Sequence, residues 1–424
     1  EGWEGLAAVR LQQGQIDEAG KLAQRVLAVK PDSPGANVVF GKLYLSEGRL
    51  SEAQQSFDLA AKAEDAPSWI RAEAYGGLGR IAAAKKDNGQ ALNEYDKALA
   101  NNPDQQTITI NKAVLLEREG KYEDAAKLYE KAAAANPQDN MAARLLKNAL
   151  NRTELVNDQE KQKKIDQLVS ELLIRQNELS RSGANKSYDQ DAWTSRPLTI
   201  CLLGFEVGGN LSARDGQGEY LNLLLTQRLS KISRIKLVDR AVLDKLMEEL
   251  KLGTSNLADP NAALRLGRIL ASRLLLSGKI MTFKDHSLAD VRLIDVETSA
   301  INGVVQQTIT GDDPASMVGV LARELESAIY KHYPIRGRVN AVKDQVVELN
   351  IGAAAGLQSG TSLYLFGDSG IAPTGNLLVT QVNEKSTQAK IIGGGKEIKS
   401  GMRVEQTLRA EPWPDVAKGK GLKQ

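Results

Sequence analysis

The chain has 424 residues, 42% hydrophobic, 4% aromatic and 25% charged, and at roughly 100–200 residues per domain it divides into two to four domains with length enough for buried cores. Lys plus Arg number 55 against 53 Asp plus Glu, so the net charge of +2 excludes the basic excess of a general nucleic-acid binder. A single cysteine, Cys201, excludes an internal disulfide, a zinc ribbon and a CxxC redox pair, and two histidines, His286 and His332, leave little material for metal or acid–base chemistry.

No apolar run approaches the ~18–20 residues of a spanning helix, and no signal peptide is visible. The chain opens at Glu1 partway through a helical pattern, which predicts an upstream segment, processed or lying outside this sequence. Residues 1–138 are rich in Ala, Leu, Lys, Glu and Gln, the composition of helices. One alignment exposes a repeat. Ala19, Ala53, Ala91 and Ala125 recur at a period near 34; four residues on stand Ala23, Phe57, Tyr95 and Tyr129. Twelve residues before stand Ala7, Gly41, Gly79 and Ala113, and twelve after stand Pro31, Asp65, Pro103 and Pro137.

Such a unit holds two antiparallel helices. The small residues sit where the helices cross closely, because a larger side chain would force them apart. The aromatic on the same face fills the gap to the next unit. Gly14, Gly48 and Gly120 end the first helices, Asp87-Asn88-Gly89 takes their place in the third unit, and the prolines break the chain between units. The pattern resembles the tetratricopeptide repeat (TPR), with four units in about a third of the chain and Ala23 departing from the aromatic. The resemblance implies a curved solenoid whose first helices line a concave groove. The usual groove positions fall on Val38, Lys42, Glu73, Arg80, Thr107, Ile110 and Glu117. The Lys-and-Asn set that clamps C-terminal carboxylates in chaperone-binding members is missing. These positions are either a protein-docking groove or ordinary solvated helix faces.

Residues 139–196 form a helical connector and a polar loop. Ile165, Leu168, Val169, Leu172 and Leu173 make one apolar stripe at helical spacing, too short for a sustained coiled coil. It is expected to pack on the last repeat or on a neighbouring subunit. The stretch 182–196, with Gly183, Asn185 and Ser187, reads as a linker.

Residues 197–333 alternate strand and helix patterns. Strands are predicted at 198–205, 235–239, 273–283, 290–296 and 301–310, the last two in hairpin order, with helices over 218–232, 240–252, 261–270 and 314–330. Asp259-Pro260 and Asp312-Asp313-Pro314 are helix-start signals. Val238-Asp239-Arg240, then Leu243 and Leu246, then Leu264-Arg265-Leu266-Gly267-Arg268-Ile269-Leu270, Leu275-Leu276-Ser277-Gly278-Lys279-Ile280 and Val291-Arg292-Leu293-Ile294-Asp295-Val296-Glu297-Thr298 occur in that order. The series resembles the family of the curli secretion component (CsgG-like), which includes outer-membrane lipoproteins and periplasmic accessory proteins of bacterial envelopes. Each element is a packing motif. Gly278 admits close backbone approach, Gly267 allows tight helix packing, Asp239 caps a helix and Arg240 can pair with a nearby acid.

Pore-forming members of that family carry extra amphipathic hairpins and begin with a lipidated cysteine. Here 280–311 is about the length the sheet strands need, Lys284-Asp285-His286 sits at the turn, and Cys201 lies inside a strand as a small hydrophobe. The loop Gly216-Gln217-Gly218-Glu219-Tyr220-Leu221 imitates a dinucleotide fingerprint, but Leu221 replaces the third glycine and the loop follows its strand by about a dozen residues. No GxxxxGK[ST] loop exists in the chain. The densest carboxylates, Asp290, Asp295, Glu297, Asp312 and Asp313, have the spacing of turns and caps rather than of a paired acid site.

Residues 334–410 turn to six short alternating strands separated by glycine turns, the pattern of a small all-β barrel. Ile351-Gly352 and Ala355-Gly356-Leu357-Gln358-Ser359-Gly360-Thr361 are similar to the SH3-like domain of flagellar assembly protein T. The remainder, 411–424, is a basic tail in which Pro412-Trp413-Pro414 is expected to tuck a tryptophan onto the barrel.

The expected fold is therefore multidomain: an α-solenoid, an α/β CsgG-like domain and a small SH3-like barrel. The resemblances imply a non-enzymatic cell-envelope scaffold in the periplasm or at the outer membrane of a Gram-negative bacterium. It would dock protein partners through its repeats, form a homo-oligomeric ring or polymer, serve secretion or surface-appendage assembly, and bind no nucleic acid, metal or cofactor. The competing readings are a subunit of an oligomeric outer-membrane secretion channel and a nucleotide-binding regulatory protein.

Overall fold

The computed structural model describes residues 2–13, 15–181, 193–195, 197–209, 214–252, 260–282, 286–309, 314–367, 372–394 and 397–407. Each sequence repeat folds as a helix pair: α1 (Gly2–Gln12) with α2 (Ile16–Val29), α3 (Pro34–Ser46) with α4 (Leu50–Lys62), α5 (Ser68–Ala84) with α6 (Asn88–Asn101), and α7 (Gln106–Arg118) with α8 (Tyr122–Ala135). The small positions do what their spacing predicts. A Cβ on Gly41 would lie 2.6 Å from the Phe57 ring, and one on Gly77 of the next unit 2.4 Å from the same ring. Tyr95 fills the corresponding space beside Gly79. Phe57, Tyr95 and Tyr129 are wholly buried, and truncating such a side chain to Ala typically costs about 3–5 kcal/mol.

Gly48 and Gly120 end their helices in the left-handed region, at φ 74° and 77°. In the third unit Lys86 takes that conformation at φ 64°, and Asp87 accepts the Gln90 N–H to start α6. A further helix, α9 (Asn140–Asn157), packs Ala142, Leu145 and Ala149 into the core around Tyr129.

The next helix, α10 (Gln159–Arg181), corrects the expectation for the apolar stripe. Val169 is buried in a cluster with Leu243, Leu246 and Leu266, and Ile165, Leu172 and Leu173 pack against that cluster. The stripe therefore covers one face of the α/β domain, while Leu168 stays exposed. Val242, Leu243, Leu246 and Leu266 offer the apolar surface against which the stripe is buried.

The sheet has the order β2 (Ile235–Leu237), β1 (Leu198–Gly209), β3 (Leu274–Thr282), β4 (Ser287–Asp295), β5 (Ile301–Ile309). Strands β1, β2 and β3 are parallel and β3, β4 and β5 antiparallel. Helices α11 (Gln217–Leu229) and α14 (Pro314–His332) pack on one face through Leu221, Leu225, Leu321 and Leu325. Helices α12 (Arg240–Glu249) and α13 (Pro260–Ile269), with α10, cover the other face over β1 and β3. The glycines act by close approach: Phe205 lies across Gly278, where a Cβ would sit 2.4 Å from the ring, and Gly267 brings α13 onto Val296 and Leu275. Asp239 caps α12 by accepting the Ala241 N–H, and Arg240 pairs with Asp244 at 2.8 Å.

The last described region is a closed barrel with neighbours in the order β10 (Thr387–Gly394), β7 (Val346–Leu349), β6 (Arg336–Lys343), β11 (Arg403–Gln406), β8 (Ser362–Phe366), β9 (Pro373–Val382). A tryptophan docks on it from the linker side. Trp193 Nε1 donates to the carbonyls of Gly337 and Val404, and Arg336 and Arg403 stack on its ring. The expectations at Gly14, 182–192, Asp259, Lys284-Asp285, Asp312-Asp313 and Pro412-Trp413-Pro414 lie outside the described residues.

Candidate functional site

The seven groove positions separate into three environments. Val38 and Ile110 are buried in the repeat cores, where they brace neighbouring helices and turn almost no surface outward. Lys42 and Glu73 face each other across α3 and α5 at 2.6 Å, and Gln105 at the start of α7 donates to Glu73 at 2.8 Å. This polar chain crosses three successive repeats. Burial acts to raise the Glu73 carboxyl, but Lys42 and then Gln105 outweigh it and hold it below the usual carboxylate range. Thr107 is half-buried nearby in sequence on α7.

Arg80 and Glu117 belong to a seam with the α/β domain. Arg80, 8% exposed, donates to Asp215 at 3.4 Å, and the Asp215 backbone N–H donates to Asn111 at 2.8 Å. The adjoining Gly216, at φ 94°, rests on Val114 of α7 and on Met141 and Leu145 of α9. Arg118 reaches Glu219 on the first turn of α11 at 2.8 Å. Farther along, Arg214 pairs with Asp139 at 2.7 Å, and Arg152 bridges Tyr122 and Asp244. Glu117 accepts from Tyr129 at 2.9 Å and from Asn148 at 2.7 Å, which ties α7 to α8 and α9 behind this seam.

Burial and pairing act against each other at these charges. Burial acts to raise the Glu219 carboxyl, but Arg118 beside it outweighs this and holds it low, and Glu219 in turn raises the Arg118 guanidinium. Burial pushes the Glu117 carboxyl up, against the two hydrogen bonds it accepts. The chain thus places the turn 214–219 of its own α/β domain against the first helices of its later repeats. That leaves Lys42 and Glu73 as the groove pair that makes no described contact with the α/β domain.

Sequence reasoning passed over Glu219, which stood in the glycine-rich loop weighed for nucleotide binding, and Asp215, which immediately precedes that loop. In the structure that loop serves packing. Gly216 seats the solenoid, and a Cβ on Gly218 would come within 3.0 Å of the Phe205 carbonyl. The carboxylates of the sheet domain also have structural partners. Asp295 accepts the Glu297 and Thr298 N–H groups, the Tyr333 hydroxyl and Arg273, while Asp290 accepts from Gln306. Cys201 is buried, and burial pushes its thiol up to about 12. Among the described residues no group of three or more His, Cys, Asp or Glu side chains is arranged to hold a metal ion, and no helix is long and apolar enough to cross a membrane.

Comparison with known families agrees with the two larger resemblances. The description "Tetratricopeptide repeat" matches residues 10–74 and again 77–140, and "Curli production assembly/transport component CsgG" matches residues 204–289. The chain carries tetratricopeptide repeats and a CsgG domain, followed by the closed six-stranded barrel. The likeness of that barrel to flagellar assembly protein T rests on the residues quoted above alone. No curated protein matches the chain significantly. Among solved structures, a crystal structure of MamA protein is 19% identical, with 44% of this chain and 94% of that one covered and a TM-score of 0.30. The LpoB C-terminal domain from Salmonella enterica is 16% identical, with 30% and 91% covered and a TM-score of 0.25. YrrB, a TPR protein with an unusual peptide-binding site, is 16% identical, with 39% and 81% covered and a TM-score of 0.29.

Proposed function

We propose that the chain is a non-enzymatic scaffold of the bacterial cell envelope. It docks protein partners at the earlier part of its repeat groove, around Lys42 and Glu73. Through its CsgG domain it self-assembles or joins an outer-membrane-associated secretion or surface-appendage complex, in the periplasm or at the outer membrane of a Gram-negative bacterium. Support comes from the two module families, whose members are typically interaction scaffolds or transport-associated proteins rather than enzymes. The observation that carries the reading is the seam. Arg80, Arg118 and Asp139 pair with Asp215, Glu219 and Arg214, so the charged side chains where the modules meet join one binding module to the other.

Capture from envelope extracts with the full chain tests it. Lys42→Glu and Glu73→Lys change the groove without touching the seam, and each is expected to lose partners that the native chain retains. Arg80→Glu acts on the seam instead, so its effect reports the joining of the modules. Partner capture unchanged in both groove variants rejects docking at this surface.

A further inference from the structure

The sheet ends at β5, and that edge is unlike the other edges of the molecule. The opposite edge, β2, is three residues long, and the barrel closes on itself. Strand β5 is nine residues long, Ile-Asn-Gly-Val-Val-Gln-Gln-Thr-Ile, with no charge and no proline. Among the described residues no other segment hydrogen-bonds its outer backbone. Ile301 is 55% and Val304 50% exposed. Long edge strands of soluble proteins usually carry a lysine, a proline or a bulge that blocks pairing; this one lacks the first two over its whole length, and its one irregularity, the register shift that leaves Asn302 without a partner on β4, lies at its start, so 303–309 pair without interruption.

We infer that β5 is a self-association surface on which a second copy of this chain adds its own β5, antiparallel and about a two-fold axis. An open edge of one kind per molecule pairs most simply with itself, giving an isologous contact. Centring the two strands on Val305 overlaps all nine residues and sets Gly303 of one copy opposite Gln307 of the other, with the irregular Asn302 outside the regular core 303–307. The flanking helix supplies charge complementarity in that register. Glu324 of α14 accepts from Gln307 at 2.8 Å, while His332, at the basic end of α14 beside Lys331, lies next to Gly303. The two-fold therefore brings Glu324 of each copy toward the second copy's Lys331 and His332. The product is a continuous ten-stranded sheet, twice the five strands of each copy. The contact closes as a dimer, so a larger assembly needs a further surface. This gives a surface to the self-association in the proposed function, and it shares no residue with the groove or the seam.

Sedimentation equilibrium of the purified full chain tests the inference. The native chain is expected to show a monomer–dimer equilibrium. Val304→Lys, which places a charge on the exposed face of the edge, is expected to raise the dimer dissociation constant at least about tenfold, equivalent to about 1.4 kcal/mol. Glu324→Lys is expected to weaken the dimer as well, and Glu324→Lys combined with Lys331→Glu to restore it. That rescue keeps the test decisive even if Val304→Lys folds poorly. A chain that stays monomeric at every concentration overturns the inference. So does a dimer indifferent to both Val304→Lys and the charge exchange. Partner capture by the groove is read separately, so either idea can fail alone.

Discussion

Replacing Gly216 with Ala is the sharpest probe of the seat between the repeats and the α/β domain. Two separate costs act at this position. The backbone sits at φ 94°, where an L side chain costs about 1–2 kcal/mol. The new methyl would also lie 2.8 Å from Met141, 3.0 Å from Val114 and 3.1 Å from Leu145. Overpacking of that kind costs about 1–3 kcal/mol, and the flexible end of Met141 places it toward the lower part of that range. The expected sum is about 2–4 kcal/mol. Gly360 supplies the control: its φ is 89°, but a Cβ there meets nothing within 4 Å. Gly360→Ala should therefore lose only the backbone part, about 1–2 kcal/mol. Denaturant unfolding gives the two losses, and amide exchange in α7, α9 and α11 shows where protection falls. Equal losses for the two substitutions, with exchange unchanged in those helices, would refute the packed seat.

The remaining predictions concern other elements. Lys86→Gly relieves a left-handed residue at the end of α5 and should stabilise the solenoid by about 0.5–1 kcal/mol in thermal unfolding; a loss of stability would contradict the turn. Arg234 is 3% exposed and stacks over Tyr330, and two of its guanidinium nitrogens have no hydrogen-bond partner; burial lowers its pKa to about 10. Arg234→Met should be neutral or stabilising by up to about 2 kcal/mol, since it removes a desolvated charge and keeps the packing stem; a large loss of melting temperature would show that the cation is needed. For Asp295, burial acts to raise the carboxyl, but the Thr298 N–H, Tyr333 and Arg273 hold it below the usual range. Its contribution to stability is present above the unfolded-state value of about 3.9 and is lost as pH falls through the lowered folded value. Asp295→Asn should flatten that acid limb of the stability–pH curve, and an unchanged limb would reject the assignment.

The solenoid and the sheet strands were legible because their signals are local. A residue twelve positions before an alanine and another four after it lie on two helices of one hairpin, so Gly41, Ala53 and Phe57 report a contact that stays inside one repeat. Strand alternation and the glycine turns of the barrel are local in the same sense. The stripe on α10 was equally visible as a stripe, but periodicity states that a helix has an apolar face and not what covers it.

Sequence alone determined the kinds of module and their order, because helix and strand periods and close-packed glycines depend on neighbours a few positions or one hairpin away. Tertiary structure decided how the modules join. Arg118 and Glu219 are 101 positions apart, and Arg80 and Asp215 are 135 apart. In a chain with 55 basic and 53 acidic residues, no spacing rule selects such pairs. They follow from the fold that sets the turn 214–219 against α5, α7 and α9, where burial makes an unpaired charge costly and a paired one specific.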